Sequence, residues 1–160
     1  MRALVTGAGS GIGRATAEVL TERGYEVVAT ARRAEVMEGL EVAERLVLDV
    51  TSDESVAACV AQAGAIDILV NNAGITETGP LETYPHDVLL KMFETNVFGP
   101  MRMIRALVPA MRTRGEGVVV NVTSVEGKVA APLAGAYCGT KHALEALSES
   151  LSFEIGHFGV

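Results

Sequence analysis

Eight residues near the amino terminus, Thr6-Gly7-Ala8-Gly9-Ser10-Gly11-Ile12-Gly13, follow directly on the apolar run Ala3-Leu4-Val5. A buried strand that enters a glycine-rich turn and then a helix leaves backbone N–H groups pointing at open space. The positive end of the helix draws a pyrophosphate to that spot. Side chains at Gly7, Gly9, Gly11 and Gly13 would block the approach, and Ser10 and Ile12 lie between them at the helix start. The segment therefore predicts strand, turn and helix in that order, arranged to hold a dinucleotide.

Apolar strand-like and amphipathic helix-like stretches alternate along the rest of the chain, which predicts a parallel sheet covered on both faces. Strands are expected at 2–6, 25–30, 45–50, 66–70 and 118–122. Helices are expected at 13–23, where Gly24 stops the first, within 34–43, from a Ser52 or Asp53 cap through Ala63, within 85–112, and at 136–155. The run 118–122 is β-branched enough to read as a strand buried on both faces. Gly99-Pro100 interrupts the fourth helical stretch just after Asn96, predicting either a kink or a fresh helix start.

Farther along come Asn71-Asn72-Ala73-Gly74, then Ser124, then Tyr137-Cys138-Gly139-Thr140-Lys141. Tyr137 and Lys141 are four apart and share one helix face, so the ammonium can lie near the phenol. A free phenol titrates at about pH 10. A nearby ammonium favours its charged form. With the glycine-rich turn, these residues give the order T-G-x-x-x-G-x-G, N-N-A-G, Ser, Y-x-x-x-K. In that order the chain resembles the short-chain dehydrogenases/reductases, and Ser124 stands thirteen positions before Tyr137, the family's usual separation.

The resemblance implies a Rossmann-type, doubly wound α/β sheet of strand order 3-2-1-4-5. It also implies an oxidoreductase that moves hydride between a nicotinamide coenzyme and a carbonyl or secondary alcohol. Tyr137 would be the general acid/base, Lys141 would tune it and orient the coenzyme ribose, Ser124 would bond the substrate oxygen, and Asn96 would hold a relay water. Asp49 resembles the family's adenine contact, with Val50 beside it, and Asn72, Ala73 and Gly74 would line the cleft. NAD-specific relatives carry an acid at the end of the second strand. Here that position is Ala31, followed by Arg32 and Arg33, an arginine pair able to hold a 2′-phosphate. NADP(H) is therefore the expected coenzyme, with NAD(H) possible. The stretch from Tyr137 to Glu145 is similar to the hydroxysteroid and retinol dehydrogenase branch, and residues 125–133 would form a largely apolar wall of the substrate pocket.

Family members normally continue into a sixth strand, a substrate-covering lid and a seventh strand, and none of these follows Val160. The expectation is one coenzyme-binding domain over 1–160, a fragment or a truncated protein. The alternatives are a non-catalytic dinucleotide-binding or interaction module and an inactive piece of a longer enzyme. Helices at 97–111 and 136–155 resemble the family's dimer-building pair, implying a homodimer or homotetramer.

A net charge of −7 argues against nucleic acid as a partner. No apolar run is long enough to span a membrane, and a strand begins within three residues of Met1, so a cytoplasmic location is expected. Cys59 and Cys138 lack metal-ligand spacing and read as small buried residues, with no metal site predicted.

Overall fold

The computed structural model describes all 160 residues. Five strands, β1 (Arg2–Thr6), β2 (Glu26–Ala31), β3 (Glu44–Val47), β4 (Ile68–Asn71) and β5 (Val118–Asn121), form one parallel sheet in the order β3-β2-β1-β4-β5. This is the expected Rossmann-type arrangement. The helices are α1 (Gly11–Glu22), α2 (Asp53–Ala63), α3 (His86–Phe93), α4 (Gly99–Arg114) and α5 (Gly135–Ile155).

Strand alternation builds two cores from one central strand. Leu4, Val28 and Leu69 face Met103, Leu107 and Met111 of α4, while Val5, Ala29 and Val70 face Ala17 of α1 together with Met37 and Leu40. Burying each leucine side chain contributes roughly 1.5–3 kcal/mol. This two-sided cover makes the short strands nearly continuous apolar runs.

Several local expectations shift. Helix α1 begins at Gly11 because Ser10 is still extended, with φ −161°. At the start of α2, Ser52 is the cap, its side chain accepting from Ser55 N at 3.2 Å. The helix expected within 34–43 shrinks to one 3₁₀ turn, Ala34–Met37, anchored by buried Met37. Strand β3 ends at Val47 because the chain turns away through Asp49, whose carboxylate accepts from Thr51 N at 2.9 Å and Thr51 Oγ1 at 2.7 Å.

One expectation is corrected more substantially, and one open alternative is decided. Strand β5 is not buried on both faces: Val118 and Val120 are 43% and 42% exposed. It is the sheet edge, and α1 packs on β1 and β2 without reaching it, so only the Val119 and Asn121 side is covered, by α5. At the break near Asn96 the structure takes the second expected alternative, a fresh helix start at Gly99. A π-helical segment, Glu94–Phe98, joins α3 to α4, and Pro100 sits in the first turn of α4, where its missing N–H costs nothing. No helix is long and apolar enough to cross a membrane.

Candidate active site

The carboxyl ends of β1 to β4 open onto a cleft of about 720 Å³. Its floor is the glycine-rich turn. Gly7 has φ +70°, and a Cβ there would lie 2.9 Å from Ala73 Cα. At Gly9 a Cβ would lie 2.5 Å from Val36 Cγ2. Both glycines therefore let the wall close over space that side chains would fill.

Ser10, Ile12, Asn72, Ala73 and Gly74 also line the cleft. Gly11 and Gly13 do not. Gly13 sits behind the wall, where a Cβ would lie 2.3 Å from both Gly7 O and Asn72 Nδ2, so its role is close packing of α1 on the turn. Thr6, to which the sequence reading gave no role, organises the far side. Its hydroxyl accepts from Asn72 N at 2.9 Å and Ala73 N at 3.0 Å and donates to Val70 O at 3.3 Å. Asn72 Nδ2 returns the tie by donating to Thr6 O at 2.9 Å.

At the other end, Ala31 is buried and Arg32 and Arg33 are exposed on the lip, with neither in an ion pair. Asp49, Val50 and Thr51 face them. Thr51 N–H, and then the Thr51 hydroxyl and the charge of Arg32, hold the Asp49 carboxyl below its ordinary value. Thr30 and Leu48 at the strand ends, with Val36, Ile75, Lys91 and Thr95, complete the walls. The strand-end rule could have found Thr30 and Leu48. Lys91 and Thr95 carried no local signal, because only the docking of the helical layer brings them to the cleft. An open glycine cradle, an acid-free β2 end and two unpaired arginines fit a phosphorylated dinucleotide.

The second motif lies at the inner end of this cleft. Lys141 is only 6% exposed, its Nζ donates to Val122 O at 2.9 Å, and it stands 5.7 Å from the Tyr137 ring centre. Burial pushes its pKa down from the ordinary lysine value. Tyr137 is half-buried on the same helix. Asn96 is buried, with Oδ1 accepting from Ile75 N at 2.8 Å and Nδ2 donating to Ile75 O at 2.8 Å and Thr140 Oγ1 at 3.1 Å. Thr140 Oγ1 in turn donates to Tyr137 O at 2.7 Å.

Gly74 is the meeting point. A Cβ there would lie 3.3 Å from Asn96 Oδ1 and 3.9 Å from Lys141 Nζ, so the glycine cleft and the lysine share one wall. Ser124 is half-buried just past β5, where its Oγ accepts from Glu126 N at 3.2 Å. That bond uses an acceptor lone pair and leaves the hydroxyl hydrogen available. His142 is exposed, with Nδ1 at 2.9 Å from Cys138 O, and Cys59 and Cys138 are buried free thiols.

With this geometry in view, comparison with known proteins is specific. The sequence model of the short chain dehydrogenase family matches residues 1–160. Human retinol dehydrogenase 8 is 39% identical over 170 residues, covering 98% of this chain and 55% of that protein. A short-chain dehydrogenase from Streptomyces avermitilis superposes with a TM-score of 0.94 at 45% identity, covering 99% of this chain and 61% of that one. A gluconate 5-dehydrogenase from Burkholderia cenocepacia J2315, solved in complex with NADP and tartrate, gives 0.90 at 33% identity, covering 99% and 67%. The chain thus spans more than half, and less than two thirds, of the length of the curated relatives it matches. Through matched sequence, strand order and motifs together, the chain belongs to the short-chain dehydrogenase family.

Proposed function

We propose that residues 1–160 form one coenzyme-binding and proton-transferring unit of an oxidoreductase that acts between NADP(H) and a carbonyl or secondary alcohol, with Tyr137 as the general acid/base. The observation that carries this reading is the state of Lys141. An ordinary surface Y-x-x-x-K pair would leave its ammonium in water, whereas here it is buried beside a phenol, on the wall of a glycine-lined cleft.

When bound, the coenzyme supplies or accepts the hydride. The chain's own residues do the rest. Gly7, Gly9, Ser10 and Ile12 would cradle the pyrophosphate at the start of α1, Arg32 and Arg33 would grip a 2′-phosphate, and Asp49 and Val50 would face the adenine. Tyr137 would give its proton to the substrate oxygen as negative charge develops there, and Ser124 would donate its free hydroxyl hydrogen to the same atom. The Lys141 ammonium would balance the charge left on the phenol oxygen. Asn96 fixes the wall through Ile75 and Thr140. A relay water would use the remaining lone pair of its Oδ1.

An apolar body on the substrate suits the rim. Leu81, Val125, Val129 and Leu133 are exposed near the catalytic residues. Leu133 is held with φ +64° while its carbonyl accepts from Gly79 N at 2.8 Å. Self-association through α4 and α5 belongs to the same reading and is read by light scattering.

The test is a calorimetric titration with NADPH and NADH, followed by turnover with a panel of ketones. Tyr137→Phe should abolish turnover and leave NADPH affinity nearly unchanged. Undiminished turnover would refute the assignment. The alternative of a non-catalytic module draws on the uncovered Val118 and Val120 of β5, and it predicts NADPH binding with no turnover on any ketone.

A further inference from the structure

The turn that carries Ser124 is seated on α5 by a side chain to which the proposed mechanism gives no role. Glu145 lies one helical turn beyond Lys141. Its Oε1 accepts a 2.5 Å hydrogen bond from Thr123 Oγ1, and its Oε2 lies 2.9 Å from Lys128 Nζ. Thr123 precedes Ser124 and Lys128 closes the 3₁₀ turn Val125–Gly127, so one carboxylate spans both ends of the turn.

Between those ends, Gly127 is buried against the helix. A Cβ at this position would lie 3.1 Å from Glu145 Cγ and 3.2 Å from Lys141 O, so the turn rests directly on the backbone between the two residues. The Thr123 hydroxyl, and then Lys128, hold the Glu145 carboxyl below its ordinary value, which keeps it a charged acceptor.

We propose that Glu145 is a positioning residue for proton transfer: by bonding Thr123 and Lys128 together, its carboxylate sets the spacing between Ser124 on the turn and Tyr137 on α5. The inference rests on the roles given above to Ser124 and Tyr137. A merely structural role explains the arrangement less well, because Lys128 is 70% exposed and an ion pair with so exposed a partner adds little stability. What the carboxylate does control is where the turn sits. A misplacement of about 1 Å in a catalytic group lowers turnover on the order of a hundredfold.

The experiment compares Glu145→Ala and Glu145→Gln with the parent chain for kcat, ketone KM, NADPH affinity and melting temperature. Glutamine keeps an acceptor for Thr123 and loses the charge. The expected result is a fall in kcat of about tenfold to a hundredfold for Glu145→Ala. NADPH affinity should be unchanged and the melting point should move by no more than about 2 °C. Glu145→Gln should recover most of the loss. Retention of kcat within about twofold by Glu145→Ala would overturn the proposal.

Should Glu145→Ala melt early, the double variant Thr123→Val with Lys128→Met removes the clamp from the other side. It must reproduce the loss of kcat, and normal turnover in it also overturns the proposal. If the parent turns over no ketone, kcat reports on neither the functional reading nor the clamp: NADPH titration then tests the first, and amide exchange reads the second. Glu126 N bonds Ser124 Oγ and Gly127 N bonds Ser124 O, so both amides should exchange at least tenfold faster in Glu145→Ala. Unchanged protection there refutes the clamp.

Discussion

Replacing Gly13 by alanine asks why the amino-terminal turn needs glycine at a position that does not line the cleft. The added Cβ would lie 2.3 Å from Gly7 O and 2.3 Å from Asn72 Nδ2, against ordinary contacts of about 3.5 Å. Either Asn72 withdraws and the Gly7 carbonyl turns aside, or α1 lifts off the turn. Withdrawal forfeits the bonds from Asn72 Nδ2 to Thr6 O at 2.9 Å and Gly7 O at 3.3 Å, at about 1 kcal/mol each. Lifting the helix is overpacking, at about 1–3 kcal/mol. The two routes span about 1–3 kcal/mol, and for a chain of this size about 2–4 °C is lost per kcal/mol, so the melting point should fall by about 2–12 °C. NADPH affinity should fall as well, because Gly7 and Asn72 are cleft walls. Gly156→Ala is the control of opposite sign. Gly156 has φ −55°, ψ −37° and open space around it, so alanine there should stabilise by about 0.4–1 kcal/mol through the unfolded chain. Thermal melts followed by circular dichroism decide the matter. A Gly13→Ala protein that melts with its parent would refute the packing argument.

Three further outcomes are expected. Arg32→Ala removes one charge-assisted contact of about 1.5–3 kcal/mol to a 2′-phosphate, so NADPH affinity should fall by about tenfold or more while NADH affinity barely moves; equal losses would refute the phosphate assignment. Burial pushes the Cys59 thiol up to about 11, and Cys138 is also buried, so neither should react with an aromatic disulfide reagent at pH 8 until urea unfolds the chain. A fast-labelling thiol in the native protein would contradict this. Thr51 N–H, the Thr51 hydroxyl and Arg32 hold Asp49 below its ordinary 3.8, so its stabilising effect is fully present above that value and fades as pH falls through the lower native value. The stability gap between the parent and Asp49→Asn, from urea midpoints between pH 6 and pH 3, should therefore narrow with acid, and a constant gap would argue against the assignment.

The features legible in the sequence share one property: they are local. The strand that runs into Gly7, the stop at Gly24, the Ser52 cap and the four-residue spacing of Tyr137 and Lys141 depend on neighbours within a turn or two. They were enough to indicate the order of elements and a parallel sheet. Where the local signal is ambiguous, it leaves the surroundings open. The valines at 118–122 announce a strand but not how many of its faces are covered, and β5, at the edge where the expected strand order puts it, has one face uncovered. Gly99-Pro100 announces a break, but not that a π-helical segment would turn Asn96 inward to bond Ile75 and Thr140.

The sequence by itself determined the chemistry on offer: a glycine turn without side chains, an arginine pair where an acid would repel phosphate, and a phenol four residues from an amine. Only the tertiary structure decided how those groups are placed. Thr6 holds Asn72 across 66 residues, Lys141 finds Val122 O across 19, and Glu145 reaches Thr123 across 22. Such pairs leave no trace in local spacing, because a hydrogen bond is fixed by a few ångströms of separation and the backbone path between its partners is not. The packed sheet and helices supply that separation by burying Leu4 and Val5 on opposite faces. The site is then assembled where the strand ends, α1 and α5 converge.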